Sequence, residues 1–282
     1  MAKVLLLGAD GLLGSCLEQA LINVQGLELV VTTRNLSKDH DFTYSVKGLN
    51  RLVAEVHPNY IINCIAVTSA KRSILDMLKA NTFLPIQLAY IGFLRNIKVI
   101  HFSTNAVFSG FHSSNYEKSL PTPRTKYGFT KLLGDLSMFG NLVLRTSFVG
   151  DSPRNAVTSG LVFSLRKLDS GAIFEISENY YWNGVTTDAL CELVVVILKN
   201  DSFPRGLLHL SSKNKIQRCD LIRELLKVLG RDDVQVLVRP SNRVRNLSLD
   251  STKYELISSI WADSSYLEIP EFTVLAQQMK IY

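Results

Sequence analysis

The chain has 282 residues, with hydrophobic side chains at 46% and charged ones at 20%. This excludes a disordered or fibrous protein and leaves room for one or two domains around a large core. The net charge is +6, but the basic residues are dispersed apart from Arg239, Arg243 and Arg245, so no nucleic-acid partner is expected. No uncharged apolar stretch approaches the ~18 residues of a membrane span. Met1-Ala2-Lys3 runs into an apolar segment without a signal cleavage site, so a cytoplasmic protein with no membrane partner is expected. Cys16, Cys64, Cys191 and Cys219 form no CxxC pair and suggest neither zinc nor a disulfide framework.

Lys3 to Leu7 read as a buried strand, Gly8 to Gly14 as a turn and Ser15 to Val24 as a helix. Leu27 to Thr32 form a second strand, Gly48 to Val56 a helix ended by His57-Pro58, and Tyr60 to Ala66 a third strand. A helix across Asp76 to Phe93, a strand Lys98 to Ser103, a polar loop Ser109 to Arg124, a helix Tyr127 to Phe139 and a strand Leu142 to Thr146 follow. Strands alternating with helices predict an α/β fold, a Rossmann-type doubly wound parallel sheet covered on both faces.

After Gly150 the pattern changes. Ala156 to Leu168 read as a helix, Ala172 to Ile176 as a strand, Asp188 to Lys199 as a helix and Leu207 to Leu210 as a strand. Gln217 to Leu229 is an amphipathic helix, Val234 to Val238 a strand, and Pro270 opens a last helix. Residues 1–150 are therefore read as a dinucleotide-binding domain to which elements near 184–212 return. Residues 151–183 and 213–282 form a smaller, mixed substrate lobe.

Gly8-Ala9-Asp10-Gly11-Leu12-Leu13-Gly14 lies between the first strand and the first helix. Glycines there permit a tight turn and close approach of a pyrophosphate, and the helix N-terminus supplies free N–H groups. An enzyme selective for NAD usually carries an acid at the end of the second strand. Here the segment is Val31-Thr32-Thr33-Arg34-Asn35. Arg34 suits a 2′-phosphate, which favours NADPH with NADH still open, or is a solvated loop arginine.

Tyr127 and Lys131 stand at i and i+4, on one helix face. A neighbouring ammonium is expected to lower the phenol pKa and fit it for proton transfer. Thr104 ends a strand, where the ligand crevice of a parallel sheet lies, and its hydroxyl suits a substrate carbonyl.

With these motifs in place, the chain resembles the extended short-chain dehydrogenase/reductases, and within them the dTDP-4-dehydrorhamnose reductase family. GADGLLG at 8–14, Asp41-Phe42, Asn63-Cys64-Ile65-Ala66 with Thr68, Ala80-Asn81, STNAVF at 103–108, Tyr116-Glu117 and YGFTK at 127–131 carry the likeness. Leu144-Arg145-Thr146-Ser147, the segment 206–211, Arg239-Pro240 and Leu249-Asp250 extend it.

The resemblance implies that Gly8, Asp10, Gly11, Leu12 and Leu13 line the cofactor phosphates and that Asp41 and Phe42 flank the adenine. Ile65, Ala66 and Thr68 border the ribose and nicotinamide, and Asn81, Ser147 and Phe148 belong to the same cofactor site. It implies Thr104, Tyr127 and Lys131 as the catalytic set, with Asn105, Phe148, Asn155 and Arg239 toward the substrate. The implied reaction is hydride transfer from NADPH to C4 of a nucleotide-linked 4-keto-6-deoxy sugar, with Tyr127 donating the proton.

The chain departs from the family at Asn105-Ala106, where Asp-Tyr is usual, and at Lys71-Arg72, which meet a diphosphate or are only surface charge. The family's metal-associated acids have no counterpart, so no metal is expected. Asn105-Ala106 also lacks the acid pair that a 4,6-dehydratase needs. An epimerase on the same scaffold and a non-catalytic NADP-binding regulatory subunit are the alternatives. Homodimerisation is common in the superfamily, though no stretch demands it.

Overall fold

A computed structural model describes residues 1–33, 46–111, 114–154, 157, 160–200 and 203–282. Arg34, Asp41, Phe42 and Asn155 lie outside the described residues.

The first half supplies β1 (Ala2–Leu7), α1 (Leu12–Leu21), β2 (Leu27–Thr32), α2 (Val46–Val56), β3 (Tyr60–Asn63), α3 (Ile74–Leu78), α4 (Leu84–Arg95), β4 (Lys98–Thr104), α5 (Lys126–Gly134) and β5 (Leu142–Thr146). The second half adds β6 (Phe148–Val149), α6 (Leu161–Arg166), β7 (Ile173–Ser177), β8 (Tyr180–Trp182), β9 (Val185–Thr186), α7 (Thr187–Lys199) and β10 (Gly206–Leu210). It ends with β11 (Ile216–Gln217), α8 (Arg218–Val228), β12 (Gln235–Arg239), β13 (Arg245–Asn246), α9 (Tyr254–Ala262) and α10 (Phe272–Gln277).

Six strands form a parallel sheet in the order β10-β5-β4-β3-β1-β2. Alternate side chains go to opposite faces. Val4, Leu6, Ile62 and Ile100 join one core with side chains of α1, α7 and α9, including Leu17, Leu193 and Trp261. Leu5, Leu7, Ile61 and Val99 join a second core with Leu49, Val53 and Leu88 of α2 and α4. Both faces are therefore dry, which is why these strands read as continuous apolar runs. The chain reverses its direction of winding between β1 and β3. In open parallel sheets such a reversal is where the ligand crevice lies, at the C-terminal ends of the strands.

The later elements build a third core, in which Trp182, Leu221, Ile222 and Leu225 surround Phe272. Trp182 and Phe272 meet edge-to-face at 5.0 Å between ring centroids. Two small sheets, β11-β8-β13 and β12-β7, flank it.

Several boundaries differ from the sequence expectation. Helix α1 starts at Leu12, inside the glycine turn. Strand β3 stops at Asn63 rather than Ala66, because the Asn63 side chain takes the Ile65 N–H that a ladder would need. The single helix expected across Asp76 to Phe93 is α3 and α4 joined by a π-helical turn at Lys79–Phe83. The helix from Tyr127 tightens into a 3-10 turn at Asp135–Met138. Helix α6 covers only Leu161–Arg166, and the last helix begins at Phe272, two residues past Pro270. Helix α9 and strands β6, β8, β9, β11 and β13 were not anticipated.

Candidate active site

The phosphate turn is built on close backbone contact. Gly8 has φ +85°, which favours glycine. A Cβ at Gly14 would stand 2.1 Å from the Gly8 carbonyl oxygen, so α1 can approach the turn only as glycine. Gly11 caps α1 with no side-chain hydrogen bond, and the first turn carries no acid. Its leading N–H groups and positive dipole end suit an anion. Gly14→Ala is expected to lose nucleotide binding and at least ~1–3 kcal/mol of stability; calorimetry with nucleotide titration checks it. Asp10 and Glu18 both pair with Arg154 from the segment after β6, Asp10 at 3.6 Å. Leu12 is half-buried and Leu13 is buried.

The segment after β3 packs against this turn. Ile65 Cγ1 would lie 2.8 Å from a Cβ at Gly8. Ala66 and Thr68 are exposed. Asn81, fully buried on the π-helical turn, accepts from Val67 N at 2.8 Å and donates to the Val67 carbonyl at 2.9 Å and to Thr130 Oγ1 at 3.0 Å. Its polar atoms thus tie the segment after β3 to α5.

Thr104 ends β4, and its Oγ1 accepts from Ala106 N at 3.1 Å. Thr125 caps α5 through Gly128 N at 3.0 Å, which sets Tyr127 in the first turn. Gly128 is required, since a Cβ there would stand 2.2 Å from the Ala106 carbonyl oxygen. Burial pushes the Tyr127 phenol above its ordinary value, the nearby Thr104 hydroxyl pulls the other way, and Asp135 adds to the rise.

Lys131 turns into the sheet. It is 2% exposed, donates to the Phe102 carbonyl, and lies 3.0 Å from His101 Nε2. Burial lowers its pKa to about 8, against the opposing pull of Asp135 and Cys64. The side chain is spent inside the sheet, and the net shift of the phenol is upward. A protonated phenol is the form that can give a proton.

The remaining predicted residues are placed as follows. The Ser147 hydroxyl accepts from Trp182 Nε1 at 2.8 Å, and Phe148 packs on the first core. Asn105 Nδ2 donates to the Leu247 carbonyl at 3.0 Å, tying the turn after β4 to the segment after β13. Arg239 is exposed and pairs with Glu175 at 2.5 Å. Lys71 and Arg72 are exposed.

Sequence reading missed His101, Asp135 and His209, and gave Glu117 no role. A histidine inside the apolar run Lys98–Phe102 was the available signal. Glu117 accepts from His209 N at 3.1 Å, from the Ser251 hydroxyl and from Thr252 N at 2.8 Å. Burial pushes its pKa up, but these hydrogen bonds outweigh it and bring it down to about 2. A depressed carboxyl adds stability above its unfolded pKa near ~4.3, and loses it as pH falls toward 2. Glu117→Gln is therefore expected to destabilise the fold at pH 7 more than at pH 3. Urea midpoints at the two pH values check this, and an equal loss at both contradicts it.

Among the described residues, no helix is long and apolar enough to cross a membrane.

The family model "RmlD substrate binding domain" matches residues 2–262. A dTDP-4-keto-6-deoxy-D-glucose reductase of Streptomyces niveus is 26% identical over 97% of this chain and 95% of its own length. The fold is similar to a dTDP-4-dehydrorhamnose reductase of Bacillus anthracis solved in complex with NADP. That likeness has TM-score 0.82 and 19% identity, over 99% of both chains. A Clostridium acetobutylicum dTDP-4-dehydrorhamnose reductase gives TM-score 0.80 and 22% identity over 98% of both. With a glycine cradle at the sheet's switch point and a family match over nearly its whole length, the chain belongs to the RmlD substrate-binding-domain family.

Proposed function

We propose that this protein reduces the C4 ketone of a nucleotide-linked 4-keto-6-deoxy sugar with NADPH. That it is an oxidoreductase follows from reductase relatives aligned over most of its length. The observation that carries the finer reading is the placement of Tyr127 in the first turn of α5, which packs through Gly128 against Ala106, two residues past Thr104.

The cradle of Gly8, Gly11 and Gly14 and the uncapped start of α1 fit a pyrophosphate. Leu12 and Leu13 cover that side, and Ile65, Ala66 and Thr68 border the ribose and nicotinamide. When bound, NADPH supplies the hydride. Thr104 orients the ketone by donating a hydrogen bond to O4. Tyr127 delivers its phenolic proton to that oxygen as charge develops there, a contribution of about 10²–10⁴ in rate. Lys131, one turn along α5, holds the ribose hydroxyls once it leaves His101. Asn105 and Phe148 lie toward the sugar.

Arg34 reads the 2′-phosphate in this account. Arg34→Ala is expected to weaken NADPH by about 10- to 100-fold and NADH hardly at all. Equal weakening of both would remove Arg34 from the cofactor site.

The test is NADPH oxidation with a panel of dTDP-, UDP- and GDP-linked 4-keto-6-deoxy sugars. Turnover with one member is the expected result and identifies the nucleotide and sugar. Saturable NADPH binding with no turnover on any member would overturn the reading and favour an epimerase or a regulatory binder.

A further inference from the structure

A buried hydrogen-bond chain leads from the crevice into the sheet. Ile65 N–H donates to Asn63 Oδ1 at 3.1 Å. This fixes the amide, whose nitrogen then faces His101 Nδ1, also at 3.1 Å. An amide nitrogen only donates, so Nδ1 must accept and carries no proton. His101 is 1% exposed. Burial, and next the charge of Lys131 were it present, hold the imidazole neutral at pH 7. A neutral ring with a bare Nδ1 carries its proton on Nε2. That proton points at Lys131 Nζ, 3.0 Å away.

An ammonium has only donors and would meet this N–H head-on. An amine has a lone pair to accept it, and still has an N–H for the Phe102 carbonyl. We infer that Asn63 and His101 hold Lys131 as a neutral amine in this conformation, stored beside Tyr127, and that it takes a proton from solvent to become an ammonium on leaving His101.

The groups facing Lys131 divide as this requires. Asp135, just past the end of α5, and Cys64, after β3, favour the ammonium. Burial opposes it and brings the pKa to about 8, and the His101 N–H from β4 adds to that opposition. Tyr127, one turn back on the same helix, gains no downward pull from an uncharged amine and stays protonated. Charging Lys131 in place would require the opposite tautomer of His101 and a flipped Asn63 amide. The Ile65 N–H bond would then break. The lysine's charge is thus coupled to the segment Cys64–Thr68, and Asn63 and His101 are positioning residues. What the stored amine does in turnover rests on the reduction proposed above; its protonation state does not.

Nitrogen-15 NMR of the histidine rings in the full chain tests this without any activity. The His101 signals are assigned by their loss in His101→Gln. At pH 9 the expected species is the Nε2–H tautomer. An Nδ1–H tautomer or an imidazolium would overturn the proposal.

Asn63→Asp supplies the second arm. Its carboxylate can accept from both Ile65 N–H and an Nδ1–H, so His101 should switch to the Nδ1–H tautomer. Lys131 should then titrate nearer the ordinary ~10.4, read from its Nζ shift. A variant that keeps the Nε2–H tautomer and the lower lysine midpoint also contradicts the proposal. Absence of turnover on every sugar, with the Nε2–H tautomer present, would count against the reductase reading alone.

Discussion

Tyr127→Phe lowers turnover by about 10²–10⁴-fold and leaves NADPH affinity unchanged. The reasoning is that the substitution removes one oxygen and keeps the ring. α5 still starts at its Thr125 cap and still packs through Gly128, so the crevice keeps its shape. What is lost is the phenolic proton, which the hydroxyl carries at neutral pH and which burial holds more firmly still. Stopped-flow reduction with the accepted sugar, alongside nucleotide titration, separates the two effects. Near-normal turnover would take Tyr127 out of the chemistry. A matching loss of NADPH binding would mean that the ring, not the proton, matters.

The largest effect on stability is expected at Asp135→Asn. Asp135 Oδ2 meets Arg145 NH2 at 2.5 Å, with side-chain exposures of 8% and 2%. The same guanidinium reaches His209 Nε2 at 3.1 Å and lies 5.3 Å from the centre of the Phe108 ring. His209 cannot share the charge burden, because burial and then Arg145 push its pKa down to about 4. Removing the carboxylate charge leaves a buried guanidinium without a counter-ion. Such losses cost about 3–5 kcal/mol. Glu55→Gln is the control, since the Arg51–Glu55 pair is exposed and exposed pairs contribute little. Denaturant midpoints should fall sharply for the first variant and stay unchanged for the second. Equal effects would contradict the account of Asp135.

How much of this was legible in the sequence depends on how local each cause is. Strands β2 and β5 run over Leu27–Thr32 and Leu142–Thr146 as expected, because each is an apolar run set off by glycine. The glycine cradle was legible for the same reason: strand, turn and helix are contiguous. Thr104 and Tyr127 were legible as a strand end and a helix start, and the structure places them at the end of β4 and in the first turn of α5.

What was not legible depends on long-range pairing. Asp135 and Arg145 are 10 residues apart, and Arg145 and His209 are 64 apart. No periodicity announces them. The end of β3 at Asn63 is set by a side chain competing for one backbone N–H. The spacing of Tyr127 and Lys131 was read correctly as one helix face. Yet the direction of the lysine is decided by His101 on a neighbouring strand, so the expected downward pull on the phenol gave way to an upward shift from burial.

The most direct test of the central claim follows the hydride itself. NADPH deuterated at nicotinamide C4 is oxidised with the sugar that supports turnover, and the product is examined by proton NMR. The account predicts deuterium at sugar C4, one atom per NADPH consumed. Consumption of NADPH with deuterium at any other carbon, or with none on the sugar, would contradict it.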